Sequence, residues 1–195
     1  MDWFDDEQKI QDYVEMSRGS DGSHVVALVE RYVAGGGRVL ELGMGPGLDL
    51  DRLAAAGYVA MGSDRAVGFL DHYRRRGGVV PCRPLDAVSI ECDDPFDAIY
   101  SNKVLHHLDT EDLVRSFDRQ AALLGEGGLL VHSFWRGDKL EEHHGMLFNY
   151  WDREGLEALL PACVELVASE RYTEIWEDDS LAVVFSVKGP AKDDT

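Results

Sequence analysis

Three observations predict a single α/β domain with a mostly parallel seven-stranded sheet, helices on both faces and an antiparallel hairpin at its C-terminal end. Short apolar runs alternate with amphipathic helical stretches, the pattern of successive βα units. A glycine-rich turn joins the first such run to the helix that follows. Two β-rich runs with no helix between them close the chain. A length of 195 residues suits one domain with a substantial core, and no internal repeat or linker divides it.

The elements follow in order. Residues 1–34 read as a helical lead-in, with helices over 5–17 and 24–33 broken at Arg18–Ser23, and Ser23 available as a cap. Residues 35–188 form the main body. Its strands are expected at 38–42, 58–63, 79–83, 96–100 and 129–134, separated by helices at 48–56, 66–76 and 110–124. The stretch 136–150 reads as a loop with a helical turn. Asp152 is placed to cap a helix over 153–160, which Pro161 ends. Runs at 164–176 and 181–188 then pair around a turn at 177–180. Residues 189–195 form a polar tail expected to be disordered.

The stretch Arg38–Leu50, RVLELGMGPGLDL, organises the rest. Gly43, Gly45 and Gly47 allow left-handed backbone and let a ligand lie against the main chain. The spacing is G-x-G-x-G, not the G-x-G-x-x-G of dinucleotide-binding loops, and Glu41 precedes the first glycine. A carboxylate there repels a pyrophosphate and suits a cation. S-adenosylmethionine (SAM) carries an ammonium and a sulfonium and has no phosphate.

This E-x-G-x-G-x-G segment resembles the first motif of class I SAM-dependent methyltransferases of the small-molecule type. A second stretch, F-D-x-I-x-x-N-x-V-L-H-H-L from Phe96 to Leu108, followed by a helix and G-x-G-G-L-L-V, is similar to the fourth and later motifs of the same family. Together they span roughly residues 35 to 135. The resemblance implies a Rossmann-like class I methyltransferase fold. It also implies methyl transfer from SAM, with S-adenosylhomocysteine (SAH) as product, to a small-molecule acceptor. Glu41, Gly43 and Gly45 would hold the amino acid end of the cofactor, Asp64 the ribose, and Asp86 with Ala87 the adenine, with Met44 and Arg65 also among the cofactor contacts. Ser101, beyond the fourth strand, and Tyr13, on the lead-in over the site, complete the expected cofactor contacts. Asp64 also fits independently, since it lies roughly 20 residues past the first glycine, where a βαβ unit delivers an acid to a ribose diol. It equally fits an N-cap for the next helix.

Methyl transfer by in-line displacement demands alignment and exclusion of water more than side-chain chemistry. Where a base is needed, histidine is suited by its pKa near neutrality. His106 and His107 lie at the carboxyl edge of the sheet, and His144 follows the fifth strand. Trp135, His143, Tyr150 and Trp151 are candidates to line an acceptor pocket, Phe148 flanks the same loop, and Lys103 and Arg136 are the nearby cations. An equal reading has these aromatics covering a sheet edge or a dimer contact, in a monomer or homodimer. Adjacent histidines lack metal-ligand spacing, so no metal site is expected.

Composition narrows the classes. A formal net charge of −18, with five of the 19 basic residues lysine, disfavours nucleic acid or anionic lipid as partner. No apolar run is long enough to span a membrane, the acidic N-terminus lacks an export signal, and the three scattered cysteines suit a reducing cytoplasm. The alternatives are a SAM-binding protein that acts through a partner without transferring methyl groups, and a nicotinamide-dependent oxidoreductase.

Overall fold

The computed structural model describes residues 7–19, 21–143 and 145–189. Two helices, α1 (Glu7–Met16) and α2 (Ser23–Tyr32), precede β1 (Arg38–Leu42), α3 (Leu48–Ala55), β2 (Val59–Ser63), α4 (Val67–Arg75), β3 (Cys82–Arg83) and β4 (Ala98–Asn102). A short 3₁₀ turn (Leu105–His107), α5 (Thr110–Leu124) and β5 (Leu129–Trp135) follow. The chain ends with β6 (Leu140–His143), β7 (Met146–Asn149), α6 (Arg153–Glu157), β8 (Val164–Tyr172) and β9 (Ser180–Val187).

The main sheet has the order β3-β2-β1-β4-β5-β9-β8. Its first five strands are parallel, and β9 runs antiparallel to both β5 and β8. Chain order reverses direction between β1 and β4, so a crevice opens beyond their carboxyl ends, where open α/β sheets take ligands. β1 is buried on both faces. Val39 joins a core shared with α2, α3 and β5, while Leu40 and Leu42 pack against Ile99, Phe96 and Ile90 on the other side. Helix α5 buries Leu113 and Phe117 against Leu130, Phe134 and Phe185, and its boundaries agree with the expected 110–124. Asp109 caps it by accepting from Asp112 N–H at 2.8 Å. α1 rests Ile10 and Val14 on Ala66 and Phe69, which leaves Tyr13 beside the glycine loop.

Several expected elements differ. The third strand shrinks from 79–83 to Cys82–Arg83, because Pro81 has no N–H to pair and Val79 is 90% exposed at the sheet edge. The expected loop with a helical turn at 136–150 contains an antiparallel hairpin, β6–β7, which forms a sheet of its own. The β8 run ends at Tyr172 instead of 176. The turn begins there because the Asp179 carboxylate accepts the N–H groups of Glu174, Ile175 and Trp176, each at 2.9 Å. Helix α6 stops at Glu157, short of 160, although Asp152 caps it as expected, accepting from Gly155 N–H at 2.7 Å. Ser23 is not a cap: it is the first residue of α2, and Asp21 accepts its N–H at 3.0 Å. Apart from Gly189, the expected C-terminal tail lies outside the described residues, as does His144. Among the described residues, no helix is long and apolar enough to cross a membrane.

Candidate cofactor site

The glycine loop explains its own composition. Gly43 has φ +66°, and a Cβ there would lie 2.5 Å from Val104 Cγ1, so no side chain fits between β1 and the loop after β4. Gly45 has φ +49°, and the Tyr13 ring would stand 3.7 Å from a Cβ added there. Three of the loop's N–H groups are already engaged. Met44 N donates to Ser63 O (2.8 Å), Gly45 N to Asp64 Oδ2 (3.0 Å) and Gly47 N to Met44 O (2.8 Å). Asp49 and Asp51 occupy the first turn of α3. Donors turned inward and carboxylates at the helix N-terminus make a poor pyrophosphate cradle and a good site for a cation.

A cleft of about 120 Å³ runs from this loop past Glu41, Asp49, Asn102, Lys103 and Glu174. Glu41 is 3% exposed, and its Oε2 has no hydrogen-bond partner among the described residues. Burial, then the charges of Asp49, Asp64 and Asp51, push its pKa well above the ordinary carboxylate range, with Arg52 opposing. Asp49 is better supported: Oδ2 accepts from Tyr100 O–H (2.7 Å) and Asn102 Nδ2 (3.0 Å), and Oδ1 from Arg52 Nη1 (2.6 Å). Burial and the adjacent Asp49 raise the Tyr100 phenol well above its usual pKa, so it stays a donor. The two acids make a negative pocket whose inner member is left one bond short.

A second cleft, about 270 Å³, adjoins the first at Tyr13, Gly43, Gly45 and Lys103. Asp64, Arg65, Leu85, Asp86 and Ala87 line one side, and Val104, His107, Leu108, Met146 and Leu147 the other. Asp64 is not the N-cap of α4, a place taken by Ala66; its Oδ1 accepts Ala66 N–H at 2.9 Å in the turn before the helix, and it faces this cleft. Asp86 Oδ1 turns back to the N–H groups of Val88 (2.8 Å) and Ser89 (3.1 Å), which fixes its carboxylate at the rim. The β6–β7 hairpin closes the far wall. His107 Nδ1 lies 2.7 Å from Leu147 O, and Asn149 Nδ2 donates to Leu108 O at 2.7 Å. A carbonyl only accepts, so His107 carries its proton on Nδ1 and keeps an Nε2 lone pair. Burial is the main cause holding its pKa below normal.

Lys103 stands where the clefts meet, in left-handed backbone (φ +54°), which is uncommon for a residue with a side chain. Its Nζ donates to Ser180 Oγ (2.7 Å) and Phe134 O (3.1 Å) and lies 3.2 Å from Glu174 Oε2. The Trp135 ring centroid is 3.7 Å away. Burial lowers its pKa to about 8 against the pull of Glu174 and Asp179.

The structure brings Tyr13, Glu41, Gly43, Met44, Gly45, Asp64, Arg65, Asp86, Ala87 and His107 to the two clefts. Ser101 is turned away, wholly buried and bonded to His132. His106 is buried beneath His107 and Phe148, with neither ring nitrogen partnered among the described residues. Trp135, His143, Tyr150 and Trp151 do not line either cleft. Trp135 packs on Lys103, Trp151 against the core beneath α5, while Tyr150 donates to Glu141 (3.1 Å) and His143 lies 3.5 Å from the same carboxylate. Arg136 holds the β8–β9 turn through Asp178 O at 2.7 Å. Asp49, Asn102, Glu174, Met146 and Leu147 line the clefts and were not expected from sequence. Asp49, an acid in the first turn after the glycine loop, is the one that carried a readable signal. No group of three or more His, Cys, Asp or Glu among the described residues is placed to hold a metal.

A doubly wound sheet closed by an antiparallel hairpin, with an acid-lined glycine loop at its switch point, is the architecture of a class I methyltransferase. Residues 22–184 match a family defined as the methyltransferase domain. The chain belongs to that family and is a SAM-dependent methyltransferase. The fold is shared with 1,6-didemethyltoxoflavin-N1-methyltransferase of Burkholderia thailandensis, solved with 1,6-didemethyltoxoflavin and SAH (TM-score 0.78, 20% identity, covering 94% of this chain and 85% of that one). It is shared also with the glycopeptide N-methyltransferase MtfA complexed with SAM (TM-score 0.72, 15% identity, 87% and 95%). A third similar structure is the PH0226 protein of Pyrococcus horikoshii OT3 (TM-score 0.71, 20% identity, 91% and 92%). Among curated proteins, none matches the sequence.

Proposed function

We propose that the two clefts together hold SAM in an extended pose and that the protein methylates a small-molecule acceptor. The observation that carries this reading is Glu41: a buried carboxyl beside Asp49 that faces the cleft, with one oxygen unpartnered among the described residues. Glu41 and Asp49 would take the ammonium, Asp64 the ribose hydroxyls, and Asp86 with the backbone at Ala87 the adenine. When bound, SAM supplies a sulfonium-activated methyl group. The chain's own part is alignment and exclusion of water: Tyr13 covers the glycine loop, and the β6–β7 hairpin shields the outer wall. His107 Nε2 is the lone pair best placed to accept an acceptor's proton. Its pKa, held below normal by burial, keeps it neutral at pH 7.

The small-molecule reading is supported by the 1,6-didemethyltoxoflavin bound to the Burkholderia neighbour and by a surface too acidic for polyanions. A cytoplasmic setting is supported by the three unpaired cysteines. The test is methyl transfer from labelled SAM to a broad acceptor panel, with Asp64→Asn as control. The variant should bind SAH about 1.5–3 kcal/mol more weakly, through loss of charge-assisted bonds. Unchanged affinity in a folded Asp64→Asn protein would remove the ribose assignment.

A further inference from the structure

A chain of four buried hydrogen bonds crosses the core behind the site. Ser101 Oγ lies 2.8 Å from His132 Nδ1, and His132 Nε2 lies 2.9 Å from Gln120 Oε1. Gln120 Nε2 donates to Ser116 Oγ at 2.9 Å, and Ser116 Oγ to Ala87 O at 2.7 Å. All four side chains are fully buried. The last acceptor fixes every proton before it. Ala87 O can only accept, so Ser116 must donate to it and Gln120 must donate to Ser116. The Gln120 carbonyl oxygen then faces His132, which carries its proton on Nε2 and accepts from Ser101 at Nδ1. A buried imidazole with a pKa lowered to about 3 remains neutral, as this arrangement requires.

Packing alone does not call for such a chain. His132 is fully buried between Val131 and Ser133 in a strand that is otherwise apolar, and buried polar groups persist at a cost unless they are paired. The chain instead ends at a functional place. Ala87 lines the cleft beside Asp86, and α5 also grips the following residues: Arg119 donates to Ser89 O (3.2 Å), Ile90 O (3.1 Å) and Cys92 O (2.6 Å). The grip is needed because Ile90 has φ +39°, a strained value for a β-branched residue.

We infer that Gln120 and His132 are positioning residues, which through Ser116 lock the adenine-facing backbone at Ala87 to the site-bearing end of β4. The inference rests on the reading that Asp86 and Ala87 face the adenine. Neither residue touches the cofactor, so cutting the chain should loosen recognition of the base and leave the rest of the site intact.

The test compares SAH with S-inosylhomocysteine, in which a carbonyl replaces the adenine amino group. Wild type should prefer SAH by at least about tenfold, because Asp86 would exchange a donor for a second acceptor. Gln120→Met, which cuts the chain at similar volume, should lower that ratio at least fivefold while the affinity for S-inosylhomocysteine stays within about twofold. Ser116→Ala provides the same reading should Gln120→Met not fold. If both affinities fall together and the ratio stands, the chain is merely structural and the inference is overturned. If wild type itself shows no preference for adenine, the assignment of Asp86 and Ala87 fails first, and the inference with it.

Discussion

Replacing Glu41 with glutamine separates two effects that ordinarily move together, stability and ligand affinity. In the folded protein this carboxyl is buried beside Asp49, and burial raises its pKa well above that of the unfolded chain. A group with a raised folded pKa contributes stability below its unfolded pKa, about 4.3, and that contribution is lost as pH rises. At neutral pH the folded state therefore either retains a proton or bears a buried charge. Glu41→Gln keeps the shape and removes that penalty, so the melting temperature should rise or hold at pH 7, with the difference vanishing near pH 4. Binding should move the other way. A charge-assisted bond to an ammonium contributes roughly 1.5–3 kcal/mol, so SAH affinity should fall about 10- to 150-fold. The ligand's cation also drives Glu41 to ionise, so binding to wild type should release a fraction of a proton. Calorimetry in two buffers of different ionisation enthalpy reads that release directly, and in Glu41→Gln it should disappear. A glutamine variant that binds as tightly as wild type, or proton uptake by wild type, would refute the reasoning.

Further predictions follow from the same geometry. Gly43→Ala forces a left-handed alanine and a contact with Val104, and should destabilise the fold by about 2–4 kcal/mol. Gly57→Ala, also left-handed but with nothing within 4 Å of its Cβ, should lose only about 1–2 kcal/mol, and equal melting temperatures for the two would contradict the close approach. His132 has its folded pKa lowered to about 3, so its contribution to stability is full above pH ~6.5 and drains as pH falls toward 3, by about 1.4 kcal/mol per unit. Urea unfolding at pH 7.5 and pH 5 should show wild type losing about 2 kcal/mol more than His132→Gln. Parallel losses would mean that the imidazole is not held neutral.

The parts legible in the sequence are those in which a local pattern decides the structure. The run from Val39 to Leu53 shows a strand, a glycine turn and an acidic helix start within a few residues of one another, and the structure follows it. α5 was equally plain, with an amphipathic stripe between an acidic first turn and Gly125. The rest depends on strand order. Asp49 meets Tyr100 and Asn102 only because β4 lies against β1, more than 50 residues later in the chain, and no local pattern signals that meeting. The same holds for His132, which with Ser133 reads as a polar break in an apolar strand until Gln120 and Ser101 are placed beside it. The β6–β7 hairpin was hidden for a different reason. Its strands, LEEH and MLFN, are four residues long and mostly half-buried or exposed, so neither period is visible. The aromatic group was legible as a cluster, but not as one lying outside the two clefts.

Isothermal calorimetry of the purified protein with SAH, and with NADH as control, tests the central claim most directly: that an acid-lined glycine loop receives the cationic end of a SAM-type cofactor. The account requires saturable binding of SAH at one site per chain and no heat from NADH. Binding of NADH, or of neither ligand, would contradict it.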